Sequence, residues 1–395
     1  MTRRLTPGLL VVLGFLSAVG PFATDLYLAS FTDIARDLGG DPSSVQLTLT
    51  AFLLGLGLGQ LLLGPASDSR GRRPVLVGAL AVFAAASIAM VFSPTLSVFV
   101  GLRVVQGFSG AAGIVVSRAI AVDLSEGETA VRALSVMAMV SALGPLISPP
   151  VGGVVAQLWG WRVVLAVLAL IATGMFVLAV VVAPESLPVW RRHRGGVRQL
   201  AARFGMLLAD RRFVGRAIAF AAGFGAMMSY ISASPFVGQA VLHMTALEYA
   251  LGFAAGALAL VVANLTNARI AERVGPGRML VLGAVMMIAA GLAFSALALS
   301  GTLSIASFIA CAFVLTGGTG LTMANGSALA LARADAARGS GAALLGAGQF
   351  AIGGLSSPLV GLWGEHTAVP MALISLGWAV IAAVGLIVAR SLRES

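Results

Sequence analysis

The sequence has no lysine, a single cysteine (Cys311), three histidines and, at 10% of its 395 residues, few charges of any kind. One cysteine excludes an internal disulfide and a cysteine-built metal site, and three histidines are too few for a histidine-rich metal or redox centre. A soluble domain carries about 25% charged residues, so this chain cannot cover a water-facing surface. It is apolar instead: 59% of its residues are hydrophobic and the mean hydropathy is +1.00. Soluble enzymes, nucleic-acid binders and disordered chains are excluded together. The net charge of +10 comes from arginines set between lipid-length apolar runs, which is not the pattern of a nucleic-acid surface.

A helix needs roughly 20 apolar residues to cross a bilayer. Twelve such runs occur, at about 8–30, 45–66, 74–93, 95–120, 131–156, 161–183, 212–238, 247–268, 279–299, 302–330, 339–362 and 367–389. A polar stretch at about 184–211 divides six spans from six. This predicts an all-α integral membrane protein: an N-terminal six-helix half (1–186), a cytoplasmic linker (187–211) and a C-terminal six-helix half (212–395), with no room for a soluble domain. The first run follows Arg3 and Arg4 as a signal peptide would, but it continues past Pro21 and another span follows closely, so it reads as an uncleaved anchor. Arginine placement fixes the orientation. With the N-terminus in the cytoplasm, Arg36 and Arg162 fall outside and Arg103 lies within span 4; the other 22 of 25 arginines are cytoplasmic. An even number of spans then puts both termini inside.

The halves repeat. Ser17–Phe22 (SAVGPF) in span 1 matches Ser232–Phe236 (SASPF) in span 7, with Pro21 and Pro235 214 residues apart. Asp68-Ser69-Arg70-Gly71 after span 2 matches Glu272-Arg273-Val274-Gly275 after span 8, 204 residues on. SPPVGG from Ser148 in span 5 matches SPLVGL from Ser357 in span 11, 209 residues on. Three matches in order, at nearly one offset, describe two six-helix repeats, a transporter architecture.

Several motifs stand on this frame. After span 2 comes GPASDSRGRRP, Gly64 to Pro74. Span 4 carries Arg103, Gln106 and Gly107 as R-x-x-Q-G. Span 5 carries Gly144-Pro145 and then Pro149-Pro150-Val151-Gly152-Gly153. Span 1 carries PFATDLYLASF around Asp25, and span 7 carries PFVGQ. Together, over essentially the whole chain, these resemble the major facilitator superfamily and, within it, the Bcr/CflA-type antiporters of bicyclomycin and chloramphenicol resistance. Two departures stand out: proline replaces a usual glycine in the span 5 motif, and Ala29 replaces the usual proline of D-x-Y-L-P. The resemblance implies a twelve-helix fold and proton-coupled drug export with Asp25 as proton carrier. It also implies a loop cluster of Gly64, Asp68, Arg70, Gly71, Arg72, Arg73 and Asp123 that locks one state of the cycle.

Elementary physics assigns these residues work. Gly64 lets two helices approach closely. Asp68 can accept from the orphan N–H groups that open span 11, near Gly339 to Gly341, and Arg72 can pair with Asp123. The span 5 glycines allow close packing against span 8, and the prolines bend the helix. Arg103 lies roughly 12 Å into its span and Asp25 roughly 8 Å from the outer end of its own, so the two can share a level. Where some related drug exporters carry a second carboxylate two turns before this aspartate, the chain has Ser17, which suits neutral or monocationic substrates. Candidate cavity residues are Phe22, Tyr27, Gln106, Gly107, Tyr230, Phe236, Gln239, Asn264, Asn267, Gln349 and Phe350. The expected activity is proton-coupled efflux of small amphipathic antibiotics by a monomer in the bilayer, with no nucleic-acid partner, metal, cofactor or enzymatic step. The alternatives are a transporter of a native metabolite with the same fold and, from another class, a membrane receptor or lipid-modifying enzyme.

Overall fold

The computed structural model describes residues 5–40, 42–125, 128–192, 197–334, 338–361 and 366–390. No strand occurs among the described residues. The helices are α1 (Pro7–Ser17), α2 (Val19–Asp25), α3 (Phe31–Asp37), α4 (Pro42–Arg70), α5 (Arg72–Val91), α6 (Leu96–Asp123), α7 (Glu128–Trp159), α8 (Trp161–Val182), α9 (Val197–Ala209), α10 (Arg211–Phe236), α11 (Ala246–Val274), α12 (Pro276–Leu299), α13 (Ile305–Leu331), α14 (Arg338–Gly361) and α15 (Val369–Arg390). Eleven are long and apolar enough to cross a membrane, and a twelfth span is the pair Pro7–Ser17 and Val19–Asp37, bent by 41°.

Span 1 departs from its sequence reading. It is broken at Ala18 (φ −83°, ψ 10°), ahead of Pro21, whose missing N–H leaves the Ser17 carbonyl without its usual helical donor. It breaks again at Tyr27 (φ −100°, ψ 2°) into a 3₁₀ turn, Leu28–Ser30, and α3 carries it on to Asp37. Asp25 therefore lies well inside the span rather than near its outer end.

The chain forms two compact units: residues 1–40 with 51–195, and 41–50 with 196–395. The linker is thus divided, and the first residues of α4 belong with the second unit. Each unit follows one packing plan. In the first, α1 packs on α6 and α7, and α5 on α6 and α8. In the second, α10 packs on α13 and α14, and α12 on α13 and α15. Numbered as spans, these pairings (1 with 4 and 5, 3 with 4 and 6) recur six spans later, so the short sequence repeats mark a repeated architecture.

Polar side chains set several helix starts. Thr95 caps α6, and Thr245 with Glu248 forms a capping box on α11. Asp210 caps α10, accepting from the N–H of Arg212 at 2.8 Å and of Phe213 at 3.3 Å, and also takes the Arg333 guanidinium at 3.0 Å. Partial burial pushes its carboxyl up, but these hydrogen bonds outweigh that and hold it below the usual carboxylate range. A depressed folded-state pKa gives stability that is present above the unfolded value and lost as pH falls through the folded one. Asp210→Ala is expected to cost about 1 kcal/mol at neutral pH, read as a lower unfolding temperature. The difference from the parent should begin to shrink below about pH 4, the unfolded value, and close as pH falls through the folded one.

Candidate functional site

Asp25 closes α2 and is 5% exposed. The Thr24 hydroxyl lies 2.7 Å from its Oδ1, and Asp25 is in none of the ion pairs among the described residues. Arg103, on α6, is fully buried and does not bond Asp25 directly. Its Nη1 donates to the Ala23 carbonyl at 2.9 Å and to Gln106 Oε1 at 2.6 Å, and its Nη2 donates to the Tyr27 hydroxyl at 3.0 Å. Its guanidinium carbon stands 4.7 Å from the Tyr27 ring centroid and 4.4 Å from that of Phe52, where the ring faces attract a cation. Gln106 passes the network on to Ser87 at 2.7 Å. A cation at the carbonyl end of α2 also suits the helix dipole. Arg103 thus holds the backbone two residues before Asp25, at the break in span 1. Phe52 gave no signal in the sequence, and Ser87 only that of a lone polar residue in an apolar run.

Close approach of helices builds this knot. A Cβ on Gly107 would overlap the carbonyl oxygen of Phe52 on α4, and one on Gly152 would overlap the carbonyl oxygen of Leu26. A Cβ on Gly144 would lie 2.7 Å from Pro21. The span 5 motif was expected against span 8; within the first unit its glycines make their close approach to span 1, on either side of Asp25. Pro145, Pro149 and Pro150 all lie inside the single helix α7. A Cβ on Gly64 would lie 3.3 Å from the Val115 side chain of α6, and Gly153 is buried.

The loop cluster also assembles. Arg72 Nε donates to Asp123 Oδ2 at 3.0 Å, and its Nη1 donates to Ser67 at 2.8 Å and to Asp68. Gly71 has φ +105°, a left-handed conformation that favours glycine, and turns the chain from α4 into α5. A residue missed in the sequence completes the group: Glu185 accepts the Arg72 N–H at 3.0 Å and stands 3.6 Å from Arg192. Its signal was an acid directly after span 6, beside an arginine-rich linker. Arg73 donates to the Val180 carbonyl at 2.8 Å, while Arg70 is exposed. Arg72→Ala leaves Asp123 and Asp68 without their cation. Transport is expected to fall several-fold with membrane levels unchanged, and adding Asp123→Asn should cost little more, because the two residues act as one unit. Transport assays beside immunoblots check this.

The cavity candidates divide by burial. Tyr27 and Gln106 are fully buried in the Arg103 knot, Gly107 is packed against the Phe52 carbonyl, and Phe236 is 3% exposed. Tyr230 is 1% exposed, stacked on Phe253 with ring centroids 5.8 Å apart, and its hydroxyl has no protein partner. Phe350 is 8% exposed and packs edge-on against Phe224. Phe22, Gln239 and Gln349 are half-buried and Asn264 is exposed; Asn267, half-buried, accepts from Asn325 at 2.8 Å.

Twelve spans in two repeated six-helix units, with a buried acid and a buried cation held apart in one of them, define a multi-pass membrane transporter rather than an enzyme. The sequence profile of the Major Facilitator Superfamily matches residues 12–358, and the chain belongs to that family. The uncharacterized MFS-type transporter YdgK of Bacillus subtilis strain 168 is 33% identical over 373 residues, 94% of this chain and 92% of the relative. A bicyclomycin resistance protein homolog of Haemophilus influenzae is 30% identical, covering 95% and 94%. A chloramphenicol resistance protein of Pseudomonas aeruginosa is 29% identical, covering 90% and 84%. Among solved structures, the nucleoside transporter NupG superposes with a TM-score of 0.75 at 14% identity, covering 97% of this chain and 99% of that one. The xylose transporter XylE of E. coli gives 0.73 at 15%, covering 95% and 96%. At such identities the structures share the fold alone.

Proposed function

We propose that this transporter exports small amphipathic antibiotics, of the chloramphenicol or bicyclomycin kind, in exchange for protons across the bacterial inner membrane, with both termini in the cytoplasm. The observation that carries the reading is Asp25: a carboxylate buried inside a membrane span, bonded by one neutral hydroxyl, in none of the ion pairs of the described residues. Burying an unpaired charge is costly, so this is the place in the chain where a bound proton cancels a buried charge, and intramembrane acids are functional by default. Arg103 is the positioning group. By holding the Ala23 carbonyl and the Tyr27 hydroxyl it links the break in span 1 to the surroundings of Asp25, so a change in the break changes what Asp25 faces. The names of the resistance relatives support the substrate class.

One proton per cycle suffices. The membrane potential supplies roughly 2.3 kcal/mol per charge per 100 mV, and tenfold accumulation costs about 1.4 kcal/mol. A neutral substrate exchanged for one proton can therefore be held at roughly a 40-fold gradient by 100 mV. A monocation exchanged for one proton is electroneutral and feels only the pH difference. The test is an antibiotic susceptibility panel in an efflux-deficient host. The reading expects resistance to one or more amphipathic neutral or monocationic drugs that vanishes on adding a protonophore. Resistance to none of them, with the protein present in the membrane, overturns the substrate class.

A further inference from the structure

Within the second unit, α11 and α13 pack together, and between their first turns runs a groove of about 350 Å³. Its wall is apolar, from Met244, Leu251, Ala255, Ile305 and Ile309, with one acid, Glu248. The absent side chain of Gly252 leaves the space: a Cβ there would lie 3.3 Å from Ile309 and 3.5 Å from Met244. From Glu248 to Ala255 the groove follows α11 for roughly 10 Å. Leu251 and Ile305 are exposed, as suits a face turned to lipid. Two spans begin here, so the groove lies where the spans meet the headgroups.

Glu248 stands alone electrically. It is the single acidic or basic residue in 217–268, and 279–332 carries none. It forms none of the ion pairs among the described residues. Its Oε2 accepts the Thr245 N–H at 2.8 Å in the capping box, and Oε1 takes no hydrogen bond among the described residues. Lipid tails are as apolar as the groove's side chains, so the wall accepts a chain without choosing between lipids. The uncompensated carboxylate does choose. It attracts a cation, and among cations one with N–H groups, because a charge-assisted hydrogen bond is a strong one.

We propose that this groove is a site for a phospholipid with a primary ammonium headgroup, of the phosphatidylethanolamine type, its chain along the apolar wall and its ammonium donating to Glu248. The idea rests on the membrane setting of the family and on neither the drug nor the proton, so its failure leaves the proposed function standing, and the reverse.

The test uses two variants of the full chain. Glu248→Gln removes the charge and keeps the helix start, because glutamine completes a capping box as glutamate does. Ala255→Phe fills the groove and keeps the charge. Each protein is placed in a bilayer of equal parts phosphatidylethanolamine and phosphatidylcholine with identical chains, then extracted in mild detergent. Native mass spectrometry reads which lipid the one-lipid adduct holds. The two lipids differ only in the methyl groups on nitrogen and neither has a net charge, so general attraction to the protein cancels. The parent is expected to hold phosphatidylethanolamine about threefold over phosphatidylcholine, the effect of one exposed ion pair, and both variants to hold the two about equally. Equal retention by the parent overturns the proposal, and so does a preference that survives Glu248→Gln. The rival occupant is an amphipathic monocation: a parent without lipid preference that binds tetraphenylphosphonium, and loses it on Glu248→Gln, assigns the groove to that class instead. Should Ala255→Phe fail to reach the membrane, Glu248→Gln decides alone.

Discussion

Asp25→Asn is expected to abolish export against a gradient. In energised cells the variant should give no more protection than an empty vector, while membrane levels match the parent. The side chain keeps its size and can still bond Thr24, 2.7 Å away, so the fold of α2 survives. What goes is the capacity to alternate between a charged and a neutral state inside the membrane. By linkage with the proton that drug binding displaces, substrate affinity should fall by about tenfold or more, at least 1.4 kcal/mol, and should no longer depend on the protonation of residue 25. Equilibrium binding of labelled chloramphenicol beside a transport assay separates the two effects. Binding by the variant that keeps the parent's dependence on pH would mean that another group carries the proton.

The second large effect is steric. Gly107→Leu is expected to leave little or no folded protein, because even a Cβ at this position overlaps the Phe52 carbonyl oxygen and comes within 3.0 Å of the Leu56 nitrogen. Backbone atoms cannot rotate away as side chains can, so α4 and α6 must separate. That separation also pulls Phe52 off the Arg103 guanidinium. Overpacking costs about 1–3 kcal/mol in an adaptable core and more against rigid backbone. Gly78→Ala is the control: nothing lies within 4 Å of its Cβ position, and exchanging glycine for alanine inside a helix gains about 1 kcal/mol. Detergent-extracted yield and unfolding temperature should fall for the first and hold or rise for the second.

The sequence read the fold well because bilayer thickness dictates the length of each apolar run; the span over 161–183, for example, became Trp161–Val182. Ion pairs between short-range motifs were legible too, as Arg72 with Asp123 shows, since helix ends bring opposite charges together at the membrane surface. Span 1 was the main departure. Its break at Ala18 lies just ahead of Pro21, a local signal. At the second break, at Tyr27, the partner is the distant Arg103, which takes the Ala23 carbonyl and the Tyr27 hydroxyl, and no local pattern encodes that. The same holds for Tyr27 and Gln106. Their polarity suggested a cavity wall, but polarity inside a membrane is equally a sign of groups that bond one another, and Arg103 claims both. Ser87, a single polar residue within an apolar run, carried a signal of that kind which only a partner in space could explain.

The central claim is that substrate and proton compete through Asp25, and proton release on binding measures it most directly. Purified transporter in weak buffer near neutral pH is mixed with chloramphenicol, and the pH change is followed. The account predicts release of close to one proton per bound drug, by linkage between the two sites, and none from Asp25→Asn at saturating drug. Equal release from the parent and the variant would contradict it, because some other group would then carry the proton.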